Sequence, residues 1–319
     1  MGAKFGLMFG AIGLFGLVFA GILLLASRVR GRAAERVQTG SFLMPALLFL
    51  AVGLVYPAVR TLFESFRDAD SSRFVGIDNY RSIFTEPDLL IVVRNTVIWV
   101  VLVPVAATSI GLVYAVLVDR ARAEALAKTL LFLPMAISFV GASIIWKFVY
   151  EYRPSRRPQI GLLNEVLVRV GLPPQNFVLL DSPLNTMALV VVLVWIQTGF
   201  AMTILSAAIK AIPDDIVDAA RLDGAHGIRM FRRITLPSIR PAVIVVITAI
   251  GIGTMKIFDI VRTMTGGNFD TSVVANEFYN QSFIYNNSGL GSALAVLLFV
   301  LVIPIVAFNA RQLRRTVET

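Results

Sequence analysis

Histidine and cysteine, the side chains that most often act as metal ligand or activated nucleophile, are nearly absent from this sequence. It holds one histidine, His226, and no cysteine. A protein zinc site takes three or four His, Cys or carboxylate ligands, which one imidazole without thiolates does not supply. No Cys nucleophile or disulfide framework exists, and a Ser-His-Asp set has only His226 to form around. No Gly-x-x-x-x-Gly-Lys-Ser/Thr run occurs, so the chain has no phosphate-cradling loop of that kind. What remains are polar groups inside apolar runs. Lys256 and Asp259 stand three apart, a spacing that lets charges pair on one helix face. They read as a self-neutralising pair, as the lining of an outer mouth, or as the proton relay of a secondary transporter. Trp195, Gln197, Thr198, Phe258 and Asn276 supply aromatic faces, planar amides and a hydroxyl, the groups a sugar path uses. Trp also gathers at membrane interfaces without any such role.

The elements that must position these residues are membrane helices. The chain has 319 residues, 57% hydrophobic and 15% charged, where a soluble domain carries about 25% charged residues. The apolar residues arrive in long blocks. About 20 such residues are needed to cross a hydrocarbon core about 30 Å thick, and barrel strands would be shorter and alternating. The blocks predict seven spans, at 5–26, 42–61, 95–118, 129–149, 186–209, 241–261 and 290–310. The first is longer than a signal-peptide core and lacks a cleavage signal before the basic cluster; it reads as an anchor. A membrane-embedded enzyme would need acids, His or metal ligands gathered at one depth, and none are.

The net charge of +9 is explained by orientation. Arg28, Arg30, Arg32 and Arg36, then Arg120, Arg122 and Lys128, then Lys210, Arg221, Arg229, Arg232, Arg233 and Arg240, then Arg311, Arg314 and Arg315 fall in alternate loops. Sixteen of the 29 basic residues lie on that side and ten on the other. Positive loops stay inside, which predicts a cytoplasmic C-terminus and segment 210–240 and, with seven spans, an external N-terminus. Neither nucleic acid nor any other partner is needed to account for the charge; the lipid bilayer suffices.

Segment 210–240 is too long for a simple connection and has internal structure. Pro213 suits a first helical position, and Asp214 and Asp215 complement the dipole of the helix they open. Asp218, Ala219 and Ala220 follow, Arg221 sits in the last turn, and Gly224 falls where a helix end wants a left-handed residue. A second helix is predicted from about His226 to Ile234, with Ile228, Phe231 and Ile234 at helical spacing and Arg229, Arg232 and Arg233 on the wetter face; Leu236-Pro237 ends it. Such a pair suits the groove of a partner. A basic amphipathic segment also suits lipid headgroups. A DNA-reading pair looks similar locally, but both ends here are fixed in the bilayer.

Asp218-Ala219-Ala220-Arg221-Leu222-Asp223-Gly224-Ala225 with Ile234-Thr235-Leu236-Pro237 resembles the EAA loop of ABC-importer permeases, with Asp218 in place of the usual Glu. Phe74-Val75-Gly76-Ile77-Asp78-Asn79-Tyr80, Gly161-Leu162-Leu163-Asn164, Trp195 with Gly199-Phe200, Phe258-Asp259 with Thr265-Gly266-Gly267, and Ser288-Gly289-Leu290-Gly291-Ser292-Ala293 are similar to the carbohydrate branch, the maltose-type and α-glucoside permeases. The resemblance implies an all-α integral membrane fold: a six-helix permease core over 42–319 plus an extra N-terminal helix and basic linker over 1–41. It implies an inner-membrane subunit that imports a sugar, an oligosaccharide and within that class an α-glucoside, without catalytic residues. Asp218, Ala219, Ala220, Asp223, Gly224, Ala225, Phe231, Leu236 and Pro237 would dock the ATPase. ATP and Mg would sit on two partner ATP-binding subunits, with no cofactor on this chain. A second homologous permease and an extracytoplasmic sugar-binding protein would complete the complex. Residues 152–158 look like an external insertion.

Overall fold

The structure is a computed structural model. It describes residues 34–119, 123–154 and 157–317, together with residues 6, 10, 13, 16–22 and 24. The expected first span falls largely outside the described residues, and those described within it are helical. Arg28, Arg30, Arg32, Arg120, Arg122, Ser155 and Arg156 also lie outside them. Two units can be told apart, residues 1–63 and 64–319.

In the first unit a helix beginning at Ala34 carries the apolar stretch Thr39–Glu64, α1, which crosses the unit boundary. No residue of its most apolar window is buried. An all-round exposed apolar helix of this length satisfies its backbone internally and its side chains in lipid.

The second unit is helical. Asp78–Thr85 is α2, Pro87–Val118 is α3, Glu124–Phe132 is α4, Phe139–Val149 is α5 and Leu162–Arg169 is α6. Leu184–Lys210 is α7, Asp214–Leu222 is α8, Gly227–Ser238 is α9 and Arg240–Met255 is α10. Asp259–Met264 is α11, Val274–Tyr279 is α12 and Ser288–Val317 is α13. No strand occurs among the described residues.

Among the described residues, α1, α3 and α7 are the single helices long and apolar enough to span. The expected span 129–149 is broken: α4, continued to Ala136, and α5 meet at 104°. Pro134 sits in a tight turn at Leu133–Ala136, Ile137 is extended, and the Ser138 Oγ accepts the Gly141 N–H at 3.1 Å to start α5. A proline that cannot donate, followed by a good N-cap, restarts the helix in a new direction. The expected span 241–261 ends early as well. Helix α10 stops at Met255 after 16 residues, and the chain turns through Lys256–Phe258 before α11 begins. Gly251 and Gly253 leave its last turns with weak helix formers.

Helices α3 and α7 make the centre. In lipid, apolar burial gives helices no advantage over acyl chains, so close packing and hydrogen bonds hold them together. A side chain at Gly111 would put its Cβ 2.6 Å from the Ala201 Cβ and 2.8 Å from the Met202 N, so glycine lets the two backbones meet. Trp99, Val103 and Ala107 of α3 are buried against Leu189, Leu193, Ile196 and Met202 of α7, with Val246 and Ile250 of α10.

Buried amides fix the end opposite the 210–240 loop. Asn95 Nδ2 donates to the Asp270 carbonyl at 2.6 Å and the Ser272 carbonyl at 3.1 Å, Asn185 donates to the Phe269 carbonyl, and Thr96 Oγ1 accepts the Val274 N–H at 2.9 Å. The starts of α3 and α7 thus grip one loop. Asn79 Nδ2 donates to the Ser65 and Arg67 carbonyls at 2.9 and 2.7 Å, and Tyr80 bonds Ser65 Oγ at 2.7 Å. Asp68 accepts the Ser72 and Arg73 N–H groups at 2.8 and 3.1 Å. Those bonds, the Arg73 N–H first, hold its carboxyl below the usual range. Asn164, fully buried, ties the Glu151 and Gln175 carbonyls together at 2.9 and 3.1 Å.

Candidate functional site

Helix α8 opens at Asp214 with Asp214 and Asp215 in its first turn, and closes at Leu222. The Gly224 N–H bonds the Arg221 carbonyl at 3.0 Å and the Ala225 N–H bonds the Ala220 carbonyl at 2.9 Å. These two bonds are the Schellman closure, which needs a left-handed residue after the cap, and Gly224 supplies it at φ +79°. Ala220 and Ala225, 7% and 8% exposed, cover the closure from inside. Asp218 and Arg221 pair at 2.8 Å on the outer face.

This arrangement corrects one expectation. Of the two alanines expected to dock the ATPase, Ala219 is exposed but Ala220 is buried within the chain. The most exposed apolar side chains are Leu222, 90% exposed, and Ile228, 77% exposed, one on each side of the Gly224 bend. Periodicity had placed Ile228 on an inner face with Phe231 and Ile234; those two are half-buried and Ile228 is not. Arg229, Arg232 and Arg233 are exposed as expected.

The second helix also runs further than expected. Leu236-Pro237 does not end it; it continues to Ser238. Phe231–Thr235 is a wide turn in which the Leu236 N–H reaches the Phe231 carbonyl. Widening absorbs a proline, which lacks the N–H and crowds the carbonyl four residues back. The chain then bends by 69° into α10. Between α8, α9 and the ends of α3 and α7 lies a groove of about 770 Å³, lined by Asp119, Lys210, Arg221, His226 and Phe231 among others. His226 is exposed there, without metal-ligating company among the described residues.

The residues expected to line a sugar path fall into separate groups. Trp195 stands edge-on to Trp146 at 5.8 Å; Trp146 lies 5.1 Å from Tyr150, and Tyr150 5.0 Å from Phe177. Tyr150 is fixed by a 2.8 Å bond to the Ala188 carbonyl. Gln197 is half-buried, while the Thr198 hydroxyl is turned back onto the Val194 carbonyl of its own helix at 2.7 Å. Phe258 packs against Tyr279 with ring centres 5.3 Å apart and planes tilted by 50°, and the Arg262 guanidinium lies 4.8 Å from the Tyr279 ring centre. Asn276 is fully buried; its Nδ2 bonds Ser272 Oγ at 3.0 Å and its Oδ1 has no partner among the described residues. Lys256 and Asp259 do not share a helix face, because one caps α10 and the other opens α11. No ion pair joins them among the described residues, and Lys256 is exposed. Trp146 and Tyr150, which join Trp195 in this aromatic cluster, carry no signal in the sequence that sets them apart from other aromatics near a span end.

Residues 92–317 match the family model described as binding-protein-dependent transport system inner membrane component. The chain belongs to this family. It is a membrane-embedded permease subunit, and the proton-relay alternative is set aside. The osmoprotective compounds uptake permease protein GgtC of Synechocystis sp. is 48% identical over 273 residues, covering 86% of this chain and 98% of its own. The alpha-glucoside transport system permease protein AglF of Rhizobium meliloti is 42% identical over 285 residues, covering 89% and 84%. The structure of a bacterial ABC transporter involved in the import of the acidic polysaccharide alginate superposes with a TM-score of 0.74 at 20% identity, covering 89% of this permease and 99% of that chain. At that identity the likeness shows the fold.

Proposed function

We propose that this permease forms half of the translocation path of an ATP-driven importer for an oligosaccharide of the α-glucoside class, delivered by an extracytoplasmic binding protein. The class follows AglF and agrees with the neutral, aromatic and amide character of the half-buried Trp195 and Gln197. A second, homologous permease supplies the other half. Two ATP-binding subunits hold ATP and Mg, and the α8–α9 loop lies on the cytoplasmic side and docks them. The observation that carries this reading is the loop itself. Its bend is fixed by the left-handed Gly224, and it holds Leu222 and Ile228 out beside Arg229, Arg232 and Arg233. Exposed leucine and isoleucine outside the apolar spans are placed for a partner's pocket rather than for water.

The test is a pull-down of the ATPase with uptake of a labelled α-glucoside in the same membranes. Leu222→Asp and Ile228→Asp should insert normally, release the ATPase and lose uptake. Full ATPase retention and normal uptake in both would overturn the docking role. Uptake that never depends on the permease for any α-glucoside would overturn the substrate class.

A further inference from the structure

At the loop end of the core, charged side chains from three segments converge. Glu124, the first residue of α4, accepts the Lys128 Nζ at 2.6 Å and the Lys210 Nζ at 2.5 Å. Lys128 also donates to the Ser206 Oγ at 2.5 Å, one turn before Lys210 on α7. Asp119, just past the end of α3, stands 3.7 Å from Lys210. The side chains of Asp119, Lys128 and Glu124 are 16%, 26% and 27% exposed, and that of Lys210 is 49% exposed. An isolated surface pair contributes little. Here one carboxylate bridges cations of two helices, 86 residues apart in sequence for Glu124 and Lys210, and a network of this kind fixes a geometry.

The network's position gives it a use. Only Ala211, Ile212 and Pro213 separate Lys210 from the first residue of α8. A displacement of α8 therefore reaches Lys210 with little slack. On the other side, Glu124 opens the bent pair α4–α5, whose far half carries Trp146 and, at its C-cap, Tyr150 against Trp195 and Phe177.

We propose that Glu124, Lys128 and Lys210 are positioning residues that transmit the motion of the α8–α9 loop to the bent α4–α5 segment, and through it to the aromatic residues beside the path. This rests on the coupling role given to the loop above. With the clamp closed, α8 carries α4 with it. With it broken, α8 moves alone, and ATP is consumed without the α5 aromatics changing place.

The permease, assembled with its partner permease, ATPase and binding protein in proteoliposomes, allows ATP hydrolysis and α-glucoside uptake to be measured in the same vesicles. Glu124→Gln and Lys210→Met should keep the ATPase bound and hydrolyse ATP within about twofold of the parent, yet consume about fivefold or more ATP per sugar, the scale of a coupling loss. Lys210→Arg should restore the parental ratio. A merely structural contact lowers hydrolysis and uptake together at constant ratio, and that result, or an unchanged ratio in every variant, overturns the proposal. Should the single variants fail to assemble, Glu124→Cys with Lys210→Cys in this cysteine-free chain offers a second route. Bridging them with a short bismaleimide should preserve the ratio, while blocking each with N-ethylmaleimide should raise it; equal ratios overturn the clamp. Leu222→Asp separates the two readings. If it leaves the ATPase bound and uptake intact, the loop's coupling role fails. If it releases the ATPase while Glu124→Gln leaves the ratio unchanged, only the clamp fails.

Discussion

Replacing Gly224 by valine should disable this permease without disturbing its insertion. The residue sits at φ +79°. A Cβ built there meets no heavy atom within 4 Å, so the cost is backbone strain and not a clash. An L residue in the left-handed region costs roughly 1–2 kcal/mol, and a β-branched one lies toward the upper part of the roughly 1–3 kcal/mol typical of strained backbone. If the chain instead leaves that region, the bonds from Gly224 to Arg221 and from Ala225 to Ala220 are lost, at about 0.5–1.5 kcal/mol each. Both routes lead to about 1–3 kcal/mol, which is about 5–150-fold in the population of the native bend. Asparagine tolerates the left-handed region best after glycine, so uptake should fall in the order Gly, Asn, Ala, Val at this position. Membrane level, ATPase retention and α-glucoside uptake are measured in parallel for the three variants, with Leu14→Ile in the first apolar segment as a control. Normal insertion with normal uptake in Gly224→Val, or a larger loss in Gly224→Asn than in Gly224→Val, would refute the reasoning.

The remaining predictions concern orientation and path. A reporter fused after Thr319 should read cytoplasmic and one before Met1 external; a cytoplasmic N-terminus would show that the first apolar run does not cross. Trp195→Ala and Phe258→Ala should each raise the half-saturating sugar concentration at least about tenfold, as loss of one aromatic contact worth about 1.4 kcal/mol would, while the complex stays assembled. Parental transport kinetics in both would remove these residues from the path.

Some of this was legible in residues read locally. Apolar runs near 20 residues locate α1, α3 and α7 because the bilayer demands that each span satisfy its own backbone, a requirement that leaves its mark within the span. The left-handed Gly224 is equally local: helix end, cap and glycine lie within a few residues, and the closing bonds span no more than five. Arg229, Arg232 and Arg233 are exposed because taking three neighbouring like charges out of water costs several kcal/mol each. The breaks at Ile137 and at Lys256–Phe258 were partly written in Pro134, Gly251 and Gly253, but hydropathy averages over such residues and reads each segment as continuous.

Tertiary structure decided what lies between segments. Whether Ala220 faces a partner or Ala225 depends on the sense of a bend that periodicity does not carry past Gly224. Leu222 and Ile228 are indistinguishable from inward residues until that bend turns them out. Lys256 and Asp259 have the spacing of a pair, yet a turn between two helices separates them. Asn95 meets Ser272 across 177 residues and Glu124 meets Lys210 across 86. Hydrophobic period reports which face of a helix avoids water. In lipid it does not report which helix that face will touch, because acyl chains and neighbouring helices are equally apolar. The partner of each polar group is therefore fixed only when α3 and α7 close on each other at Gly111 and bring distant ends of the chain into hydrogen-bond range.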